Sequence, residues 1–162
     1  MPTANLKPLV ANLCLCLCLS AAALGCVSSA TGAGGVVSEK MRTYELKVGE
    51  EVAVAGADFT MLLGAVPEDS RCPEGVDCIW AGSVGAELVF CGPKSERSGR
   101  LNTNSAPRVL KYRGRYFRIL KVSPKRVQGR NIKPADYVLT VEVSRQAPAA
   151  QAEGDVIEVK DE

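Results

Sequence analysis

Three cysteines in the central region, Cys72, Cys78 and Cys91, are the side chains best suited to covalent chemistry. Thiols can pair, ligate a soft metal or act as nucleophiles. Cys72 and Cys78 bracket a short loop containing Pro73 and Gly75, a shape that closes on itself. Three single pairings of three cysteines exist, and this loop favours Cys72–Cys78 with Cys91 left as the odd thiol. Such a disulfide stabilises by roughly 2–2.5 kcal/mol on the loop-entropy estimate. A metal site is not expected: the gap between the first two cysteines exceeds that of zinc knuckles, and the chain has no histidine to complete a set. The missing histidine also excludes Ser-His and Cys-His nucleophile pairs and imidazole acid–base work. No Ser-x-x-Lys pattern replaces them. The neighbouring acids Glu68 and Asp69 are the best remaining acid–base candidates, but adjacent carboxylates in a turn are more often solvated than catalytic. The sequence therefore predicts no enzyme, no catalytic residue and no cofactor.

The second chemical feature is charge. Lys94 to Lys133 holds thirteen basic residues and one acid, Glu96. Residues 39 to 87 hold ten acids and four bases, and residues 134 to 162 hold seven acids and two bases. Two readings compete. Acidic and basic strands can balance each other internally, or the belt can bind an anionic partner such as lipid headgroups or an acidic polysaccharide. Arg113, Arg115 and Arg118, with Tyr112, Tyr116 and Phe117 among them, are the candidate anion-binding residues. Nucleic acid is not an expected partner.

The N-terminus assigns a location. Residues 9 to 24 form an apolar run behind Lys7, ending in Ala23-Leu24-Gly25-Cys26. It has the length of a signal h-region and falls short of the roughly 20 residues a spanning helix needs. The segment resembles a bacterial lipoprotein signal with its lipobox, although Ala23 stands where Leu is commonest. The resemblance implies cleavage before Cys26, lipid on its thiol, and a chain held at a membrane by acyl groups. Val27, rather than Asp, implies the outer membrane where the host has one. Ordinary secretion with cleavage near Ser28-Ser29-Ala30 is the competing reading. Cys14, Cys16 and Cys18 alternate with leucines inside the apolar run and serve as apolar filler.

These features need a scaffold. Residues 1–25 read as signal peptide and 26–42, small and glycine-rich, as a flexible tether. Residues 43–145 read as a β-domain and 146–162 as a disordered acidic tail, with Val156 to Val159 able to add an edge strand. Tyr44, Leu46 and Val48 alternate with charged residues, the period of a half-buried strand. Val52 and Val54, then Phe59 to Ala65, then Val84 to Phe90 continue the pattern. Residues 108–112 and 115–122 flank Gly114 as a hairpin, and Tyr137 to Val143 alternate cleanly. The stretch 115–122 is the weakest, because neither face is uniformly apolar. About seven strands predict an all-β fold, a small antiparallel β-sandwich or barrel with a disulfide-stapled loop.

The most distinctive stretch runs from Glu68-Asp69-Ser70-Arg71-Cys72-Pro73 through Val76-Asp77-Cys78-Ile79-Trp80-Ala81-Gly82. Trp80 precedes the fourth strand and is expected to plug the bottom of the core. The segment resembles a group of small bacterial secreted proteins and lipoproteins with no established biochemical role. Leu101-Asn102-Thr103, Gly114 to Val122, Ser123-Pro124 and Lys133 to Tyr137 fit the same group, which covers roughly residues 44 to 144. The expected function is thus an exported, lipid-anchored, non-enzymatic binding or structural module of the cell envelope, with anionic lipid or polysaccharide as candidate ligand. The alternative is a secreted inhibitor- or adhesion-like module that recognises a protein partner through the 68–82 loop.

Overall fold

The computed structural model describes residues 41–149 and 154–161. The expected signal peptide, Cys26 and the tether up to residue 40 lie outside the described residues. The described residues fold as an all-β sandwich of nine strands: β1 Arg42–Lys47, β2 Glu51–Ala53, β3 Thr60–Asp69, β4 Val84–Cys91, β5 Glu96–Asn102, β6 Val109–Tyr112, β7 Arg115–Ser123, β8 Val138–Ser144 and β9 Val156–Glu158. A 3₁₀ turn, Pro134–Asp136, leads into β8. One sheet has the order β1-β8-β7-β6-β9 and the other β2-β3-β4-β5. All pairings are antiparallel except β6 with β9, which is parallel.

Alternation decides which residues enter the core. Leu46 from β1, Leu139, Val141 and Val143 from β8, and Phe117 and Ile119 from β7 face Met61, Leu63, Leu88 and Phe90 of the other sheet. Phe59, Phe90, Tyr112 and Phe117 form an aromatic cluster with ring centroids 4.6 to 6.3 Å apart. Burial of each such side chain stabilises by roughly 1.5–3 kcal/mol, so the core dominates the fold's energetics. The β6–β7 turn has positive φ at both central residues, Arg113 and Gly114. That is the twist a two-residue hairpin requires, and glycine is the residue that adopts it without strain.

Within the acidic tail, Val156–Glu158 forms the edge strand that the sequence allowed. β9 docks on β6, with Val109 opposite Val156 and Lys111 opposite Glu158. The cause is a set of partners that the tail alone does not reveal. The backbone carbonyl of Asp155 accepts from the N–H groups of both Arg108 and Val109, and Val159 donates to the Lys111 carbonyl. The Asp155 side chain is buried against the Arg108 guanidinium. β5, an edge strand, is likewise absent from the expected seven.

Candidate functional site

The stapled loop is built where β3 ends and β4 begins. Cys72 and Cys78 stand at disulfide distance, and Cys91 is free. Ser70 and Ser83 close the loop's neck: Ser70 N donates to the Ser83 carbonyl at 2.8 Å, and Ser83 N donates to Ser70 Oγ at 2.9 Å. Gly82 has φ +68, and a side-chain carbon there would overlap the Ser70 carbonyl oxygen. Only glycine permits this close turn.

The Gly82 turn carries Trp80 out of the sheet, so the tryptophan does not plug the core. Trp80 is 81% exposed and Ile79 92% exposed. Val84, Val122 and Tyr137 close that end of the core instead. The loop is nevertheless braced from beneath. Arg71 donates to the carbonyls of Val122 and Pro124, each at 2.9 Å. Arg126 donates to the Arg71 carbonyl, Glu74 N donates to the Arg126 carbonyl, and Lys125 pairs with Glu74. A disulfide-closed loop on such a brace presents an indole and an isoleucine side chain to solvent. Large rigid apolar side chains of this kind anchor protein interfaces.

The two acids at the loop's root do different things. Asp69 accepts from Arg71 N, Nε and Nη2 at 3.1, 2.9 and 2.7 Å, and from the Tyr137 hydroxyl at 3.0 Å. Burial raises its pKa, and the Arg71 and Tyr137 hydrogen bonds outweigh this and leave it below the ordinary 3.8. Every oxygen is therefore committed to holding the loop. Glu68 pairs with Arg100 on the exposed face of the sheet. The pair does not form an acid–base constellation.

The candidate anion-binding arginines do not converge. Arg113 sits at the hairpin tip, where its Nη1 meets Asp58 at 3.0 Å and its Nε meets Asp161 at 2.7 Å. Its guanidinium also lies 5.4 Å from the Tyr112 ring centroid. Arg118 points outward from β7 and pairs with Glu142 at 3.0 Å. Arg115 donates to the Gly56 carbonyl. Elsewhere in the belt Arg108 pairs with Asp155 and Lys111 with Glu158. The tail, Glu142, Asp58, Glu68 and Glu74 thus supply acids to Arg100, Arg108, Lys111, Arg113, Arg118 and Lys125 of the belt.

Arg115 reaches a cleft lined also by Arg42, Tyr44, Ala55, Gly56, Ser144 and Arg145, and Arg113 borders a separate one with Asp58, Pro93 and Lys94. Arg42, Tyr44 and Arg145 lie outside the basic run, and only the strand register brings them to Arg115. Cys91 ends β4 beside Thr60. Burial, then the charges of Glu51 and Glu96, push its thiol up, against a smaller opposing effect of the Thr60 hydrogen bond. Among the described residues no group of His, Cys, Asp and Glu is placed to hold a metal, and no helix is long and apolar enough to cross a membrane. Comparison with protein-family models, curated proteins and solved structures finds no match.

Proposed function

We propose that this chain is exported, anchored by lipid on Cys26, and serves as a non-enzymatic binding module of the cell envelope whose recognition element is the 68–82 loop. The observation that carries this reading is the exposure of Ile79 and Trp80 on a loop closed by Cys72–Cys78 and braced by Arg71 and Arg126. A loop already closed by a disulfide has less backbone entropy to lose on binding. The resemblance of residues 44 to 144 to small exported bacterial proteins, and the apolar run ending at Cys26, support export and anchoring. Outer-membrane sorting follows from Val27 in a host with that membrane.

Two measurements test the reading. Metabolic labelling with a radioactive fatty acid should mark the protein, and Cys26→Ser should abolish the label; a native chain without acyl mass refutes the anchor. A photo-crosslinking amino acid at position 79 should give a discrete protein adduct in intact cells. The same group at Leu120, an exposed residue on β7, should give none. Trp80→Ala should abolish the adduct without lowering the melting temperature. Equal crosslinking at both positions, or at neither, overturns the loop as recognition element.

A further inference from the structure

We infer that two copies of this chain join by exchanging their C-terminal strands, with Asp155–Asp161 of each copy docked in the groove between β5 and β6 of the other. The groove matches this segment residue by residue. The Asp155 carbonyl accepts from Arg108 N and Val109 N, each at 3.0 Å, and its buried carboxylate accepts from Arg108 Nε at 3.1 Å. Val156, Ile157 and Glu158 pair with Val109, Leu110 and Lys111, and the Glu158 carboxylate meets Lys111 Nζ at 3.0 Å. Val159 N donates to the Lys111 carbonyl at 2.8 Å. Its side chain packs so closely on β5 that a side-chain carbon at Gly99 would lie 2.8 Å from Val159 Cγ2. Arg97 donates to the Lys160 carbonyl at 3.2 Å. Asp161 accepts from the Tyr112 hydroxyl at 3.0 Å and from Arg113 Nε at 2.7 Å.

Seven successive residues of the tail therefore meet partners drawn from residues 97–113. Acids at 155, 158 and 161 face Arg108, Lys111 and Arg113, and Val159 fills the gap beside Gly99. An extended acidic strand with this spacing is the chemistry the groove recognises, and a second copy of the chain carries it. Each contact forms equally whichever copy supplies the segment. Reciprocal exchange closes as a two-fold dimer in which both grooves are filled.

The connection has the reach. Ten residues, 145–154, lie between the end of β8 and Asp155. In the sheet β7 and β6 separate β8 from β9, a distance of three strand spacings or roughly 14 Å. Ten extended residues span roughly 33–36 Å, more than the chain's own groove requires. A tether of this length holds the segment at an effective concentration on the order of mM, so exchange sets in as the protein approaches that concentration. Chains anchored on one membrane meet at far higher local concentration than in bulk. That advantage rests on the lipid-anchored reading; the exchange itself does not.

The test uses the full chain with every cysteine except Cys72 and Cys78 replaced by serine. One tagged version then carries Lys111→Cys and a second carries Glu158→Cys, positions that stand opposite each other on β6 and β9. The two are mixed at about 1 mM and at about 10 μM and oxidised briefly. A disulfide-linked heterodimer should form at the higher concentration and fall steeply on dilution. Placing both substitutions in one chain should instead close a disulfide within that chain at either concentration, which shows that the positions can be bridged. Leu120→Cys, exposed on β7, mixed with Glu158→Cys reports chance collision and should give only a trace. Arg108→Glu in the Lys111→Cys copy should lower the heterodimer at least about 10-fold, the loss expected for a charged hydrogen bond. No heterodimer above the Leu120 level overturns the exchange, and so does one that Arg108→Glu leaves unchanged, since the copies then meet through another surface. Either failure leaves the loop and the anchor untouched.

Discussion

Asp69→Asn should unfold this domain far more readily than its conservative shape suggests. The Asp69 side chain is 8% exposed and that of Arg71 18%. Three of the four hydrogen bonds to Asp69 come from Arg71, and the fourth comes from Tyr137, the residue just before β8. The amide keeps one acceptor for Arg71 N and Nε. Its NH₂ then faces Arg71 Nη2, a donor that no longer has a partner there. Removing the charge from a partly buried charged hydrogen bond costs about 1.5–3 kcal/mol, and the facing donors add to this. Arg71 retains the Val122 and Pro124 carbonyls, which limits the loss. The expected total is about 2–4 kcal/mol, or about 10–20 °C in melting temperature for a domain near 100 residues.

The same carboxylate gives the pH dependence a sign. Its folded pKa lies below the ordinary 3.8. Its stabilisation is therefore fully present above the unfolded value and is lost as pH falls through the lower folded value. Thermal melts by circular dichroism from pH 7 to pH 3 should show native stability falling on acidification, and Asp69→Asn should lack that component. Glu68→Gln is the control, because the Glu68–Arg100 pair is exposed and contributes less than about 1 kcal/mol. An Asp69→Asn protein that melts within about 2 °C of native at pH 7 would refute the account of the loop's root.

Other perturbations probe the remaining elements. Cys72→Ser with Cys78→Ser should lower unfolding free energy by about 2 kcal/mol in urea and open the 72–80 loop to proteases; an unchanged urea midpoint counts against a closed loop. Asp155→Asn should cost about 1–3 kcal/mol, since the buried carboxylate holds Arg108 at the β6–β9 junction. A tail without structural weight would tolerate it. Cys91 should alkylate more slowly at pH 8 than a free cysteine, and urea should restore the rate, because burial and the charges of Glu51 and Glu96 raise its pKa. Equal rates in native and unfolded protein would contradict this.

Strands with one buried face were legible because their alternation survives in sequence: Tyr44 to Val48, Val84 to Phe90 and Tyr137 to Val143 all lie where expected. β7 reads poorly for a physical reason. A register shift between Ile119 and Lys121 moves the buried side from Phe117 and Ile119 to Val122, so neither face stays apolar. β5 was illegible because it is an edge strand that buries only Leu101 in the core, and Glu96, Ser98 and Arg100 are exposed. The Cys72–Cys78 pairing was readable from the short Pro-Gly loop. Trp80 was misread because proximity to β4 says nothing about the Gly82 turn, which depends on the Ser70 backbone opposite.

The basic belt shows why charge along a chain is a poor guide to charge on a sandwich. Thirteen basic residues follow one another from Lys94 to Lys133, yet sheet order sets acidic partners from far away beside them. Glu142 reaches Arg118 across the β7–β8 pairing, and the tail returns Asp155, Glu158 and Asp161 to Arg108, Lys111 and Arg113. Each of these pairs needs a register that linear density does not contain. The converse also holds. The arginines of the cleft come from β1, β7 and the residue after β8, and two of the three lie outside the dense run. Register, rather than the density of charge along the chain, therefore decides which basic side chains meet each other and which meet acids.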